Sequence, residues 1–506
     1  MTGATDRQRT TIVVALTLLA ALAFRLGLLD APGEFDEFYH LLAARGLVDV
    51  GLPRIMDGEY WRGILFTRMV AAVFELTGSQ GLPAARLVSV AAGVAIPAVL
   101  VWWLLRVAGT GSAILVGLFA VLWPQGILEA QFVRFYAVQG LCFLAGAAAL
   151  HIALDAQPRA RLALLTLTLG FWALALHFQI STAIGIAGSL GGAAMLLARR
   201  FVHGPRGWIV LGAIVVTLLM LGGAVVVFSG LGEKAVAFYR WTPEHAEHLR
   251  DYRTFYFDQL EQTWGPLWYA TPGLMVPALW LRPRLAVYCG AVFGTCFIAH
   301  SFGGMKALRY LSYAMPFLFA IWALGLVGLV QLIFGMMRPA TAIGVGAACA
   351  ALLLTAPFAW RSLELARGQG LPPRGDWRAA QEVLGDWADA PYVATTRELH
   401  HLAHIGPYDI LFGPGRISEL IPPEDFANDI RTGRPVVGST EGWGRVLDCH
   451  PDGLLVTSPY FWEVAGWGAR LQPLFDARGY LTEMRQDGAL LALRWTGTAG
   501  APCDIP

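Results

Sequence analysis

Long apolar runs dominate the first 360 residues. A bilayer core of ~30 Å needs about 20 apolar residues per helix. Eleven runs approach that length, at roughly 11–29, 84–105, 111–128, 136–154, 162–177, 179–198, 207–229, 266–281, 285–302, 310–334 and 340–358. The stretch 162–198 is too long for one helix, and the polar group His177-Phe178-Gln179 marks its turn. Residues 64–77 are apolar but carry Arg68 and Glu75, the pattern of an amphipathic helix lying in the interface rather than crossing it. Beyond Arg361 the pattern becomes that of a globular chain. Residues 376–387 and 397–404 read as helices, and 391–395, 454–457 and 490–495 as short strands, an alternation that predicts a small α/β domain. The expected fold class is a polytopic α-helical membrane protein of about eleven transmembrane helices with a small C-terminal extracytoplasmic α/β domain. The boundary falls between a membrane domain, 1–360, whose first outer loop is 30–83, and a tail domain, 361–506.

Composition agrees. Hydrophobic residues make up 56% of the 506 and charged residues 14%, against a soluble norm of about 25% charged. A soluble surface cannot be built from so few charges. Disorder, collagen, coiled coil and a free nucleic-acid-binding protein are excluded, and a net charge of +1 points to no polyanionic partner. Only Lys234 and Lys306 are lysines among 37 basic residues, a bias expected of a GC-rich genome.

Arginine placement orients the spans. If they alternate, Arg7, Arg9, Arg106, Arg159, Arg161, Arg199, Arg200, Arg206, Arg282, Arg284 and Arg338 share one face, which is assigned to the cytoplasm. The other face holds the loops 30–83, 129–135, 230–265 and 303–309 and the tail. No small-residue cleavage site follows the apolar residues 11–23, so the first span is expected to stay uncleaved. Cys142, Cys289, Cys296 and Cys349 lie in apolar runs, as small core residues do. Cys449 and Cys503, in the polar tail, are a candidate disulfide if that compartment is oxidising.

Candidate chemistry sits on the outer face. Just past the first span the chain reads Glu34-Phe35-Asp36-Glu37-Phe38-Tyr39-His40. Three carboxylates there fit a solvated helix N-cap. They equally fit a general base on a water-filled cavity or oxygen ligands for a divalent cation. Glu59, Tyr60, Trp61 and Arg62 follow, a set that suits sugar binding or an interfacial aromatic belt. Two outer loops break the charge rule. Lys306 and Arg309, three apart as on one helix face, lie after His300 and two glycines and just before Tyr310. Arg134 precedes Tyr136. Cations there suit a phosphate clamp, with lysine as a point charge and arginine as a bidentate fork; the alternative is snorkelling to lipid headgroups.

The order of these features resembles the GT-C superfamily of polyprenyl-phosphate-sugar-dependent glycosyltransferases, nearest to bacterial homologues of protein O-mannosyltransferases and of the lipid A aminoarabinose transferase. The resemblance rests on Asp36-Glu37, on Glu59-Tyr60-Trp61-Arg62, on Ala85-Arg86-Leu87 and Arg134-Phe135-Tyr136-Ala137 at the starts of spans, on Lys306-Ala307-Leu308-Arg309-Tyr310-Leu311 with Pro316, and on Asp376-Trp377-Arg378 in the tail. It implies an inverting sugar transfer from a polyprenyl phosphate to a lipid, glycan or protein acceptor hydroxyl, in a multi-pass protein of a bacterial inner membrane with its tail outside. Asp36 matches the family's general base and Glu37 its second acid. Arg134, Lys306, Arg309 and Tyr310 match donor-phosphate contacts. Glu59, Tyr60, Trp61, Arg62, Tyr136, His177, Gln179 and His300 fall where sugar or acceptor would lie. For a cofactor, the choice stays open between none and a divalent cation, Mg or Mn, on Asp36 and Glu37. A second acidic pair in a later outer loop, which oligosaccharyltransferases use for metal, is missing. His400 and His404 share a helical face as a zinc pair would, but without the glutamate of the metalloprotease motif. The rival classes are another polyprenyl-linked enzyme, such as a polymerase or ligase, a flippase and a scaffold. The spans' nearly charge-free middles disfavour a flippase.

Overall fold

A computed structural model describes residues 4–201, 239–242, 244–334, 356–371, 374–413 and 426–498, with a few positions between 202 and 238. The chain forms two compact units. One contains residues 1–28 and 89–370, the other residues 29–88 and 371–506.

The first unit is helical. Six of the described helices are long and apolar enough to cross a membrane: Arg7–Phe24, Leu82–Val107, Tyr136–Ala153, Pro158–Phe178, Pro283–Phe302 and Ser312–Ile333. A seventh span is the pair Thr110–Val121 and Pro124–Ala130 if it is counted as one, and Thr182–Ala198 and Thr271–Leu281 are shorter apolar helices. Nine of the eleven apolar runs therefore coincide with helices; most of 207–229 and of 340–358 lies outside the described residues. The pair is bent by 62° where Pro124 opens the second helix, because the residue before a proline is pushed out of the α region. The bend ends the span in a short helix carrying Glu129. Close helix packing depends on small residues. A Cβ at Gly325 or Gly328 would come within 2.5 Å of the Leu274 or Pro277 carbonyl oxygen of the neighbouring helix.

In the second unit, the helix Phe35–Val50 starts at Glu34 with a capping box, and Gly51, at φ 75°, ends it. Residues 54–55 (β1) and 58–59 (β2) make a small hairpin. The amphipathic segment is the helix Ile64–Thr77, with Phe66, Thr67, Val70, Ala71 and Phe74 buried and Arg68 and Glu75 exposed. Its buried face packs on Phe35–Val50, where the Thr67 hydroxyl lies 2.9 Å from His40 Nδ1.

The tail contributes a seven-stranded mixed sheet of β3 (393–395), β4 (410–412), β5 (426–428), β6 (435–437), β7 (452–457), β8 (481–487) and β9 (490–496), in the order β5-β6-β4-β3-β7-β9-β8. The four central strands, β6-β4-β3-β7, are parallel and the edges antiparallel. Its core centres on Trp443, Trp495, Phe412, Phe475 and Leu455.

Composition divides the chain at 360/361. The folded chain instead groups residues 29–88 with the tail. The amides of Asp57 and Gly58 donate to the Thr432 carbonyl at 2.9 and 3.0 Å, and Arg434 pairs with Asp57 at 2.9 Å. Contacts between residues so far apart leave no mark on local composition.

Candidate functional site

Within the helical unit, the two loops that break the expected charge rule meet. Arg134 is 4% exposed, and its guanidinium lies 5.4 Å from the Phe135 ring centre and 5.9 Å from that of Tyr136. Arg309 lies 5.8 Å from the same Tyr136 ring and 5.6 Å from Tyr310. The Tyr136 and Tyr310 rings meet edge to face at 6.3 Å. Two arginines and Tyr310 thus gather around Tyr136. Beneath them Glu129 is buried; Gln125 donates to its carboxylate at 2.8 Å and the Ser312 hydroxyl makes a short bond to the same oxygen. Arg309 is the charge that acts on Glu129. Guanidinium groups of this kind bind anions by bidentate contact.

Lys306 stands differently from expectation. It does not share a helix face with Arg309, because the backbone is extended at Ala307 (φ −161°) and only Leu308–Tyr310 closes a 3-10 turn. Its ammonium donates to the carbonyls of Gly303 at 2.6 Å and Arg250 at 3.0 Å. Burial lowers its pKa below the ordinary lysine value, with Arg253 acting the same way and Asp251 opposing. Gly304 allows the approach: a Cβ there would sit 2.2 Å from the Arg240 carbonyl oxygen. Lys306 therefore pins the loop that carries Arg309. His300 is buried, its Nε2 3.1 Å from the Tyr313 hydroxyl. His177 is exposed at the end of Pro158–Phe178. It is Phe178, not His177, that stacks on Phe135, at 6.3 Å. Gln179 forms the turn that the polar group predicts, donating its amide to the Ala175 carbonyl.

Within the second unit, the acids of the first outer loop are sorted by burial. Glu37 is fully buried. Arg86 grips it at 2.9 and 2.8 Å, the Glu34 amide donates to it at 2.9 Å, and Arg374 lies 3.7 Å away. Arg86 also donates to the carbonyls of Leu29 and Ala31, both at 2.7 Å. Asp36, on the same turn, is half-buried. Tyr60 stacks on Tyr39 at 4.9 Å, and Arg431 lies over Tyr39 at 5.4 Å. Trp61 is exposed and donates to Glu59 at 2.7 Å, and Arg62 is exposed beside it.

Among the described residues, no group of three or more His, Cys, Asp or Glu is placed to hold a metal ion. Guanidinium groups face Glu37 where a cation would need to sit, so Asp36 and Glu37 do not fit a metal pair in this geometry. His400 and His404 flank the Phe38 ring, at 4.8 and 5.4 Å. Burial drives His400 and His401 down to about 3 and lowers His404 as well. Cys449 is disulfide-bonded, and Cys503 lies outside the described residues.

No family profile matches the chain, and no curated protein matches it in sequence. Its structure is similar to solved ones. ArnT from Cupriavidus metallidurans, solved bound to undecaprenyl phosphate, is 15% identical with a TM-score of 0.59, over 99% of this chain and 100% of that one. The archaeal oligosaccharyltransferase AglB from Archaeoglobus fulgidus, solved with an inhibitory peptide and a dolichol-phosphate, is 13% identical with a TM-score of 0.61, over 100% of this chain and 75% of that one. The fold is the GT-C fold. At such identities the likeness concerns the fold alone.

In this GT-C fold, the residues that sequence reasoning missed are partners of those it found. Arg86 and Arg374 hold Glu37, and Glu129 and Ser312 underlie Arg309. Arg86 had a signal: a base at the start of a span, on the acidic outer face. Glu129 had one too, as the only acid of the short loop 129–135.

Proposed function

We propose that this protein is an inverting glycosyltransferase of the membrane's outer face, moving a sugar from a polyprenyl phosphate to an acceptor hydroxyl. The observation that carries the reading is the meeting of Arg134 and Arg309 around Tyr136. Two arginines from separate loops, Arg134 buried and Arg309 half-buried, lie against aromatic rings as a preorganised anion site would require. The two compared proteins of this fold were solved with undecaprenyl phosphate and with dolichol-phosphate.

In the mechanism, Arg134 and Arg309 hold the donor phosphate. Lys306 fixes the loop of Arg309, and two of its three N–H donors are already occupied by carbonyls. Glu37 is neutralised by Arg86 and holds the start of its helix in place, leaving Asp36 as the base. The acceptor oxygen attacks the anomeric carbon from the face opposite the phosphate. As that C–O bond forms, the bond to the phosphate oxygen breaks, and Asp36 takes the hydroxyl proton. The arginines stabilise the charge that grows on the departing lipid phosphate, each contributing roughly 10²–10³ in rate if it acts as other preorganised donors do. The bilayer supplies the donor, and the acceptor is a lipid, glycan or protein. In this reading the transfer takes place at the outer face of an inner membrane of bacterial type.

The test uses purified full-length protein with a radiolabelled polyprenyl-phosphate sugar and membrane acceptor fractions. Asp36→Asn should abolish transfer while insertion and melting temperature stay those of the wild type. Turnover near the wild-type rate in that variant would falsify the assignment of the base. Arg309→Gln should cost roughly 10²-fold in kcat/KM, read from the same assay; an unchanged value would remove Arg309 from the donor site.

A further inference from the structure

The helix that begins at Tyr136 has a second charged region near its other end. Tyr136–Ala153 is 18 residues long, which is about 27 Å. At its far end a cavity of about 1310 Å³ opens among helix termini, all within the helical unit. Arg7, Arg9, Arg106, Arg282 and Arg284 line it, and Asp155 is the single carboxylate in its wall. Asp155 pairs with Arg284 at 2.8 Å, which leaves four arginines without an acid in the wall. Arg106 lies over the Trp102 ring at 4.6 Å, and Arg282 reaches the Ala108 carbonyl at 3.4 Å. Neither contact neutralises a charge.

Arginines that only orient spans need lie no closer together than their loops require. Here five come from three separate segments of the chain and converge on one hollow. A concave wall of one charge sign between low-dielectric helices focuses its field and concentrates the opposite charge. Guanidinium groups match phosphate oxygens bidentately. Leu281, Leu285 and Ile152 supply an apolar border where acyl chains could leave the site. The volume exceeds that of a site for one small ligand, about 300–1,000 Å³, and gives room for two phosphates.

We propose that this cavity is a second, non-catalytic site that binds a doubly phosphorylated anionic group, supplied by a membrane lipid. Basic pockets between spans on the cytoplasmic side take such headgroups, and arginine placement assigns this face to the cytoplasm. The proposal does not depend on the transfer reaction.

The test places full-length protein in phosphatidylcholine nanodiscs with and without tetraoleoyl cardiolipin and reads retained lipid by native mass spectrometry and stability by melting temperature. Inorganic pyrophosphate, added to protein in phosphatidylcholine alone, is the soluble probe. Wild type should retain cardiolipin over phosphatidylcholine by about tenfold or more, and Arg106→Gln/Arg282→Gln/Arg284→Gln should lose about that factor. The matching triple lysine variant should keep most of it, because charge is conserved. A melting shift with pyrophosphate and none with cardiolipin would overturn the lipid as the source. Retention of cardiolipin no better than that of phosphatidylcholine, with no pyrophosphate shift, would overturn the site itself. If the glutamine triple does not fold, Arg282→Gln alone is read, and undiminished retention there counts against the proposal.

Discussion

Glu37 and Asp36 are adjacent in sequence and have opposite circumstances. Glu37 is buried with Arg86 in a pair that also satisfies three further groups, the Glu34 amide and the carbonyls of Leu29 and Ala31. Removing one partner of such a pair strands a buried charge, at a cost of about 3–5 kcal/mol. Arg86→Met is therefore expected to lower the melting temperature sharply, whereas Asp36→Asn is not; a thermal melt of both variants checks the contrast. The histidines give a pH signature. His400 and His401 are buried, with folded-state pKa values near 3 against about 6.5 unfolded. Between those values the unfolded chain binds more protons, so stability is fully present above about 6.5 and drains away as pH falls toward 3. Unfolding midpoints over that window should fall with acid, and His400→Phe should flatten the slope. Part of this was legible in the residues themselves. Arg134 and Arg309 stood out because they broke a charge rule, and the structure brings them together. Arg86 entered only as part of a motif at the start of a span, since nothing local says that its partner lies 49 positions earlier. The helix face supposed for Lys306 and Arg309 fails because Gly303 and Gly304 release the chain before it can form.

Among the elements, length decided what could be seen. Apolar runs of twenty residues announce themselves, and those within the described residues coincide with helices. The tail strands β4, β5 and β6 have three residues each, too few for an alternating pattern. β8 is mostly exposed and reads as polar loop. The helix Thr440–Cys449 escaped notice although Ser439 caps it, accepting the Gly442 amide at 2.9 Å. Helix against helix, the tolerances are narrow. Gly328→Leu would drive a side chain into the Pro277 carbonyl, an overpacking cost of about 1–3 kcal/mol or more. The variant should show a lowered melting temperature or reduced membrane yield, and wild-type values in both would argue against this close packing.

At the scale of the whole molecule, the grouping of residues 29–88 with 371–506 was invisible to composition. Deleting 371–506 is expected to uncover Phe38 and the Asp57 hairpin, from which His400, His404 and Arg434 would be lost. Limited proteolysis should then cut between residues 51 and 63 in the truncated protein well before it cuts there in the intact one. The same grouping bears on how such proteins are recombined. The helix that presents Asp36 shares its packing with the tail sheet, so a chimera that exchanges only the tail would seat a foreign surface on Phe38 and Asp57. An exchange that keeps this packing has to move two separated stretches of gene together.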